Sequence, residues 1–291
     1  MKRLLIVSIL FLSVSVFSQE KTPVLLGKIT KEDLNKEPYN EWLDREYTAY
    51  EPNKETIAEL KKANKQGLSV QIFLGTWCGD SHREVPRMLK ILEQAGFADD
   101  KIEIVGLNTG VGVSKQSPTG EEKGKYIFKV PTFIVSKGGK EVNRIVEFPV
   151  FSLEKDLATI SSGGTYSPNY RSYPTIINWL ETGVLSDKNI SYNGLAEQIR
   201  PLVSNAVELT AVAYVLSYQG RKKEAATLCR IATRLFPETV RYNACAFIYN
   251  ENGEKEAAIR ALKKFIEKYN NREAIDAAFE LYDEIKQRKA E

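Results

Sequence analysis

LSVQIFLGTWCGDSHREVP, residues 68–86, reads as a strand, a turn and the start of a helix, with Cys78 where they meet. Leu68, Val70, Ile72, Phe73 and Leu74 form an apolar, β-branched run between Gly67 and Gly75, which predicts a buried strand. Gly79, Asp80 and Ser81 mark the start of a helix, and Val85, Met88, Leu89 and Leu92 recur at three- and four-residue spacing as its buried face. The first turn of a helix presents unpaired N–H groups and the positive end of the macrodipole, both of which favour a thiolate over a thiol. The thiolate is the nucleophilic form of cysteine, so Cys78 is the candidate reactive group.

With these residues in view, the chain resembles the thioredoxin family. Trp77-Cys78-Gly79 matches the start of that family's Trp-Cys-Gly-Pro-Cys signature, and Pro86 stands eight residues after the cysteine, where thioredoxins kink the same helix. Val130-Pro131-Thr132 looks like the family's cis-proline loop. It is followed by an apolar strand (Phe133, Ile134, Val135), a Gly138-Gly139 hairpin turn and a second strand over 142–147. The resemblance implies a thioredoxin-like α/β domain in which Pro131 is cis and faces Cys78 across a groove. Trp77, Gly79, Val130, Pro131 and Thr132 would line that groove and hold an extended client strand beside the thiol. The implied activity is thiol–disulfide exchange with protein clients that carry thiols or disulfides, without a cofactor.

The signature is also departed from. Ser81 occupies the place of the second cysteine, so a mixed disulfide on Cys78 has no local thiol to resolve it. Two readings stand for Ser81: a hydrogen-bond partner of the thiolate, or a cap of the helix. Asp80 replaces the proline of the signature, and an acid beside a thiol opposes the effect of the helix terminus. Ile72 stands where thioredoxin proper has a buried aspartate. His82, the single histidine, is expected to face solvent. Cys78, Asp80 and His82 do not share one face of a starting helix, so no metal site is expected there.

Length and composition widen the frame. A chain of 291 residues with 43% hydrophobic content suits two domains, each with its own core. Residues 1–18, with Lys2 and Arg3 before an apolar stretch, read as a cleavable signal, hence an exported, periplasmic or secreted protein with no stable membrane span after cleavage. Loss of that segment lowers the formal net charge from +3 to +1, a balance that argues against a nucleic-acid partner. Three cysteines are too few for a disulfide scaffold.

Residues 19–160 are expected to form the thioredoxin-like domain. Within it, 19–53 read as a short helix and loops, with Tyr39, Trp42, Leu43, Tyr47 and Tyr50 as packing residues. A helix is expected over 54–66, a strand parallel to the first over 101–107, and a terminal helix over 152–160. Residues 108–125, rich in Gly, Ser and Lys, read as a long surface loop bordering the Cys78 face. Gly110, Gly112 and Ser114 lack the strand-to-helix frame and the Gly-Lys-Ser/Thr that a phosphate cradle needs.

Residues 161–193 read as a linker with a short helix over 174–182, whose neighbours Tyr166, Tyr170, Tyr173 and Trp179 are placed to pack two domains together. From 194 to 291 the pattern is helical. Gly220 followed by Glu224, Ala225, Ala232 and Pro237 matches the small-residue skeleton of a tetratricopeptide repeat. Gly253 followed by Glu256, Ala257, Ala258 and Leu262 repeats it 33 residues later, near that family's period of about 34. Phe265 and Asn270 stand at later signature places, and 273–286 read as a capping helix. Cys229 and Cys245 fall on apolar faces of neighbouring helices; packing, a disulfide and a remote resolving thiol are the three readings for them. Two functions from different classes remain: single-cysteine exchange or trapping of clients through Cys78, or a non-catalytic module that holds a protein partner on the groove and the helical repeats.

Overall fold

The computed structural model describes residues 23–64, 67–268 and 272–287. The expected signal segment and Asn270 lie outside them, as do the last two residues of the helix expected over 54–66. Five strands form one mixed sheet in the order β1-β3-β2-β4-β5: β1 (Gly27–Ile29), β2 (Leu68–Leu74), β3 (Ile102–Gly106), β4 (Thr132–Lys137) and β5 (Lys140–Val146). β2 lies at the centre, parallel to β3 with Ile72 opposite Ile104, and antiparallel to β4 with Ile72 opposite Phe133. The parallel pair follows from the helix that separates the two strands in sequence.

Side chains alternate across that central strand and so divide the core in two. Val70, Ile72 and Leu74 face α2 (Asn40–Ala49), α3 (Lys54–Asn64), α4 (Gly79–Gln94) and α5 (Leu153–Ser161), whose buried residues include Trp42, Leu60, Met88 and Leu157. Phe73 faces the other way and joins Val105, Leu107, Ile127, Val130 and Ile134. Among the described residues no helix contributes to this second cluster; Leu107, Ile127 and Val130 from the chain between β3 and β4 do, and Trp77 and Cys78 pack on it. Val85, Met88, Leu89 and Leu92 of α4 are all buried, as their spacing requires.

Two details differ from the sequence reading. Residues 19–53 contain, besides α1 (Lys31–Leu34) and α2, the edge strand β1, antiparallel to β3 with Lys28 opposite Val105. Three residues show no periodicity; pairing with β3 makes the strand. Gly106 permits the approach, because a Cβ there would lie 2.1 Å from the Leu25 carbonyl oxygen. β5 spans residues 140–146 rather than 142–147, and it stops where Glu147 takes a left-handed conformation with φ of 65°.

After α5 the described chain is helical. The seven helices are α6 (Tyr173–Glu181), α7 (Tyr192–Ile199), α8 (Ala206–Tyr218), α9 (Lys222–Leu235), α10 (Tyr242–Glu251), α11 (Lys255–Lys268) and α12 (Arg272–Gln287). α8 and α9 form one helical hairpin, α10 and α11 the next, and α12 packs on α11. Gly220 and Gly253 occupy equivalent turns with φ of 78°, a conformation that side chains resist. α6, in the stretch read as a linker, buries Tyr173, Ile176, Trp179 and Leu180 in the helical core, and the same cluster takes in Phe128 and Val146 from the α/β region. Among the described residues no single helix is long and apolar enough to cross a membrane; the bent pair Tyr192–Leu202 and Ala206–Tyr218 passes by composition only, at 119°.

Candidate functional site

Cys78 is positioned by a turn tied at both ends. Its own N–H donates to the Gly75 carbonyl at 2.9 Å, and the Gly75 N–H donates to Ser81 Oγ at 3.2 Å, so the exit of β2 is fastened to the first turn of α4. Trp77 folds back over Gly75 and donates its indole N–H to the Leu107 carbonyl at the end of β3, 2.8 Å away. Only glycine allows this, since a Cβ at residue 75 would stand 2.5 Å from the indole. Cys78 is the N-cap residue of α4, in extended conformation, yet its side chain does not cap the helix. The half-buried thiol donates instead to the Val130 carbonyl, 3.3 Å away, beside the cis Val130–Pro131 bond.

Of the other residues expected to line the groove, Gly79 is exposed, Trp77 is half-buried, and Val130, Pro131 and Thr132 are buried. The Thr132 hydroxyl is already used, donating to the Lys129 carbonyl at 2.8 Å. The group that faces the Cys78 sulfur is therefore the Val130 backbone carbonyl rather than a side chain. Ser81 is fully buried, and its oxygen meets the Gly75 N–H rather than the sulfur.

The expectation that His82 faces solvent is overturned. Its ring stacks on Trp42 of α2, with centroids 4.6 Å apart and planes 10° from parallel. Its Nε2 lies 2.8 Å from the Thr76 carbonyl, which can only accept, so that nitrogen carries the proton. The indole, forty residues earlier in the chain, provides an apolar seat that helix geometry alone does not reveal. Asp80, expected beside the thiol, is paired with Arg83 at 2.9 Å.

Sequence reasoning missed the basic groups of the site. Lys115 comes from the 108–125 loop in a left-handed conformation with φ of 57°, and its ammonium stands 5.8 Å from the centre of the Trp77 ring. Burial pushes the Lys115 ammonium below its ordinary value, and the charge of Lys129 adds to this, while the charges of Cys78 and Glu147 act the other way. Lys129 itself is held by Glu147 at 3.1 Å and lies over the Tyr170 ring, and the Tyr170 hydroxyl donates to the same carboxylate. The cations therefore differ: Lys129 has a carboxylate, and Lys115 forms no ion pair among the described residues. A lysine in a polar loop carries no pattern that would have signalled this placement.

Cys229 of α9 and Cys245 of α10 are fully buried free thiols far along the chain from Cys78. Burial, with the sulfur of Cys245 beside it, pushes the Cys229 thiol well above its usual value. Among the described residues no three His, Cys, Asp or Glu side chains gather as metal ligands would. Comparisons of the chain with protein-family models, with curated proteins and with solved structures find no match.

Proposed function

We propose that the α/β region is thioredoxin-like, that the helical region is tetratricopeptide-like, and that the protein is exported and exchanges disulfides with client proteins, or traps them as mixed disulfides, through Cys78. One observation carries this reading: a half-buried thiol at the N-terminus of a helix, facing a backbone carbonyl 3.3 Å away, with a cis proline next in the chain. Further support comes from the sheet order, with the thiol after the central strand, and from the paired turns at Gly220 and Gly253.

In the proposed reaction the Cys78 thiolate attacks one sulfur of a client disulfide. A Cys78–client disulfide forms, the client S–S bond breaks, and the second client sulfur leaves as a thiolate that takes a proton from water. Ser81 offers no thiol, so a thiolate from outside the chain attacks the mixed disulfide, takes the client half and leaves Cys78 as thiolate. The Trp77 and Val130 side of the groove holds the client backbone during both steps.

The test uses a variant with Cys229 and Cys245 replaced by alanine, mixed with a peptide whose cysteine carries a chromogenic aromatic thiol in disulfide linkage. Release of the chromophore and a peptide adduct on Cys78, both lost in Cys78→Ser, are the expected result. A Cys78 that is accessible to small alkylating reagents yet gains no peptide would sink the exchange reading and leave the non-catalytic partner-binding one.

A further inference from the structure

Between the 108–125 loop and α8 lies a cavity of about 270 Å³ that belongs to neither helix packing nor sheet packing. Lys115 and Arg241 both line it, with the hydroxyl-bearing Thr109, Ser114, Tyr214 and Tyr218, and no carboxylate does. Among the described residues neither Lys115 nor Arg241 forms an ion pair, whereas Arg83, Lys129, Arg221 and Arg230 each do. Lys115 is partly desolvated there and the exposed Arg241 stands at the rim, so an anion in the cavity would meet two positive charges and no negative one. Three of the loop amides are already used: the Gly110 N–H by Asn108 Oδ1 at 2.8 Å, the Val113 N–H by the Gly110 carbonyl, and the Lys115 N–H by the Asn108 carbonyl. The charges that would recognise the anion are those of the Lys115 and Arg241 side chains.

The cavity lies between two other features. On one side, Lys115 reaches over Trp77, the residue before Cys78. On the other, Val111, Tyr214 and Tyr218 are shared with an apolar hollow lined by Phe247, Leu262 and Leu281. At about 270 Å³ the cavity has room for one acidic side chain.

We propose that this cavity seats a glutamate or aspartate of an extended client peptide, whose cysteine lies toward Cys78 and whose next apolar side chain lies toward Phe247. The clients are thus proteins with an acidic residue near the reactive cysteine. The order along the peptide rests on the exchange reading of Cys78; the anion seat does not.

Two arms separate these claims. In the first, calorimetric titration measures binding of a short synthetic peptide with serine in place of cysteine and glutamates on one side, and of its counterpart with lysines. The acidic peptide should bind about tenfold more tightly, with a preference that shrinks to about threefold or less in Arg241→Gln and in Lys115→Gln and fades as salt is raised. Arg241 is exposed, so its replacement leaves the fold intact. Equal binding of the two peptides, or a preference that survives both substitutions, overturns the anion seat. In the second arm the same peptides carry a cysteine activated as a mixed disulfide. An acidic preference in binding without an adduct on Cys78 leaves the seat standing and removes the exchange reading, whereas adducts that form at the same rate with both peptides overturn the proposed order along the peptide and leave exchange standing.

Discussion

The imidazole of His82 lies flat on the indole of Trp42, and this contact joins the helix that begins at Cys78 to a helix that precedes it by forty residues. The stack fixes the ring so that its Nε2–H reaches the Thr76 carbonyl, inside the turn that presents the thiol. Trp42 is also buried in the main core, so Trp42→Ala should cost about 3–5 kcal/mol in urea denaturation. His82→Phe keeps the stack, loses the hydrogen bond and should cost about 1 kcal/mol. If the two variants proved equally mild, the stack would not be what seats this helix.

Gly75→Ala tests the fold-back of Trp77. A methyl group there meets the indole at 2.5 Å, so the ring must leave the Leu107 carbonyl and the ammonium of Lys115. The expected loss is about 1–3 kcal/mol, together with a changed tryptophan emission from a more hydrated indole. An unchanged emission spectrum would mean that the ring keeps its place.

The lowered affinity of Lys115 for its proton predicts a pH slope. The native state releases this proton at a lower pH than the unfolded chain, whose lysine keeps its ordinary value of 10.5. Between the two, the unfolded state binds more protons, so stability rises with pH across the window below 10.5; at lower pH both states are protonated and the penalty of the buried charge is complete. Lys115→Met should remove that rise, seen as the difference between the two proteins' denaturation midpoints over a pH series. Parallel curves would contradict the partly desolvated ammonium without an ion pair.

The three cysteines should separate by accessibility. Under native conditions an alkylating reagent should modify Cys78 and spare Cys229 and Cys245, which are fully buried, while guanidinium should expose all three. Peptide mapping of the labelled protein reads the sites directly. Rapid native labelling of Cys229 would show that α9 and α10 part far more readily than their packing indicates.

Much of the architecture around the thiol was legible in the sequence because periodicity carried it. β2 over residues 68–74, the buried face of α4 and the parallel partner at residues 102–106 all follow from spacing and from the glycines that bound them. β1 was not legible, since three residues become a strand only by pairing with β3. The approach of Cys78 to Val130 was legible through a resemblance, and the placements of His82 and Lys115 were not. One depends on a ring supplied from α2, the other on the path of a loop held by its own backbone hydrogen bonds. Neither leaves a local trace in residue type or spacing.

Phe128 and Val146 come from the α/β half of the chain yet are buried in one cluster with Ile176, Trp179 and Leu209, and Tyr173 meets Phe128 edge-on at 5.4 Å. The two halves consequently share one apolar cluster, although residues 162–165 and 167 of the chain that joins them are exposed. Heating should produce a single calorimetric transition rather than two, and a fragment that ends at residue 161 should aggregate through the apolar surface that α6 leaves behind. Such a junction also turns the distance from thiol to cationic cavity into a fixed ruler, against which the spacing of residues in a client would be measured.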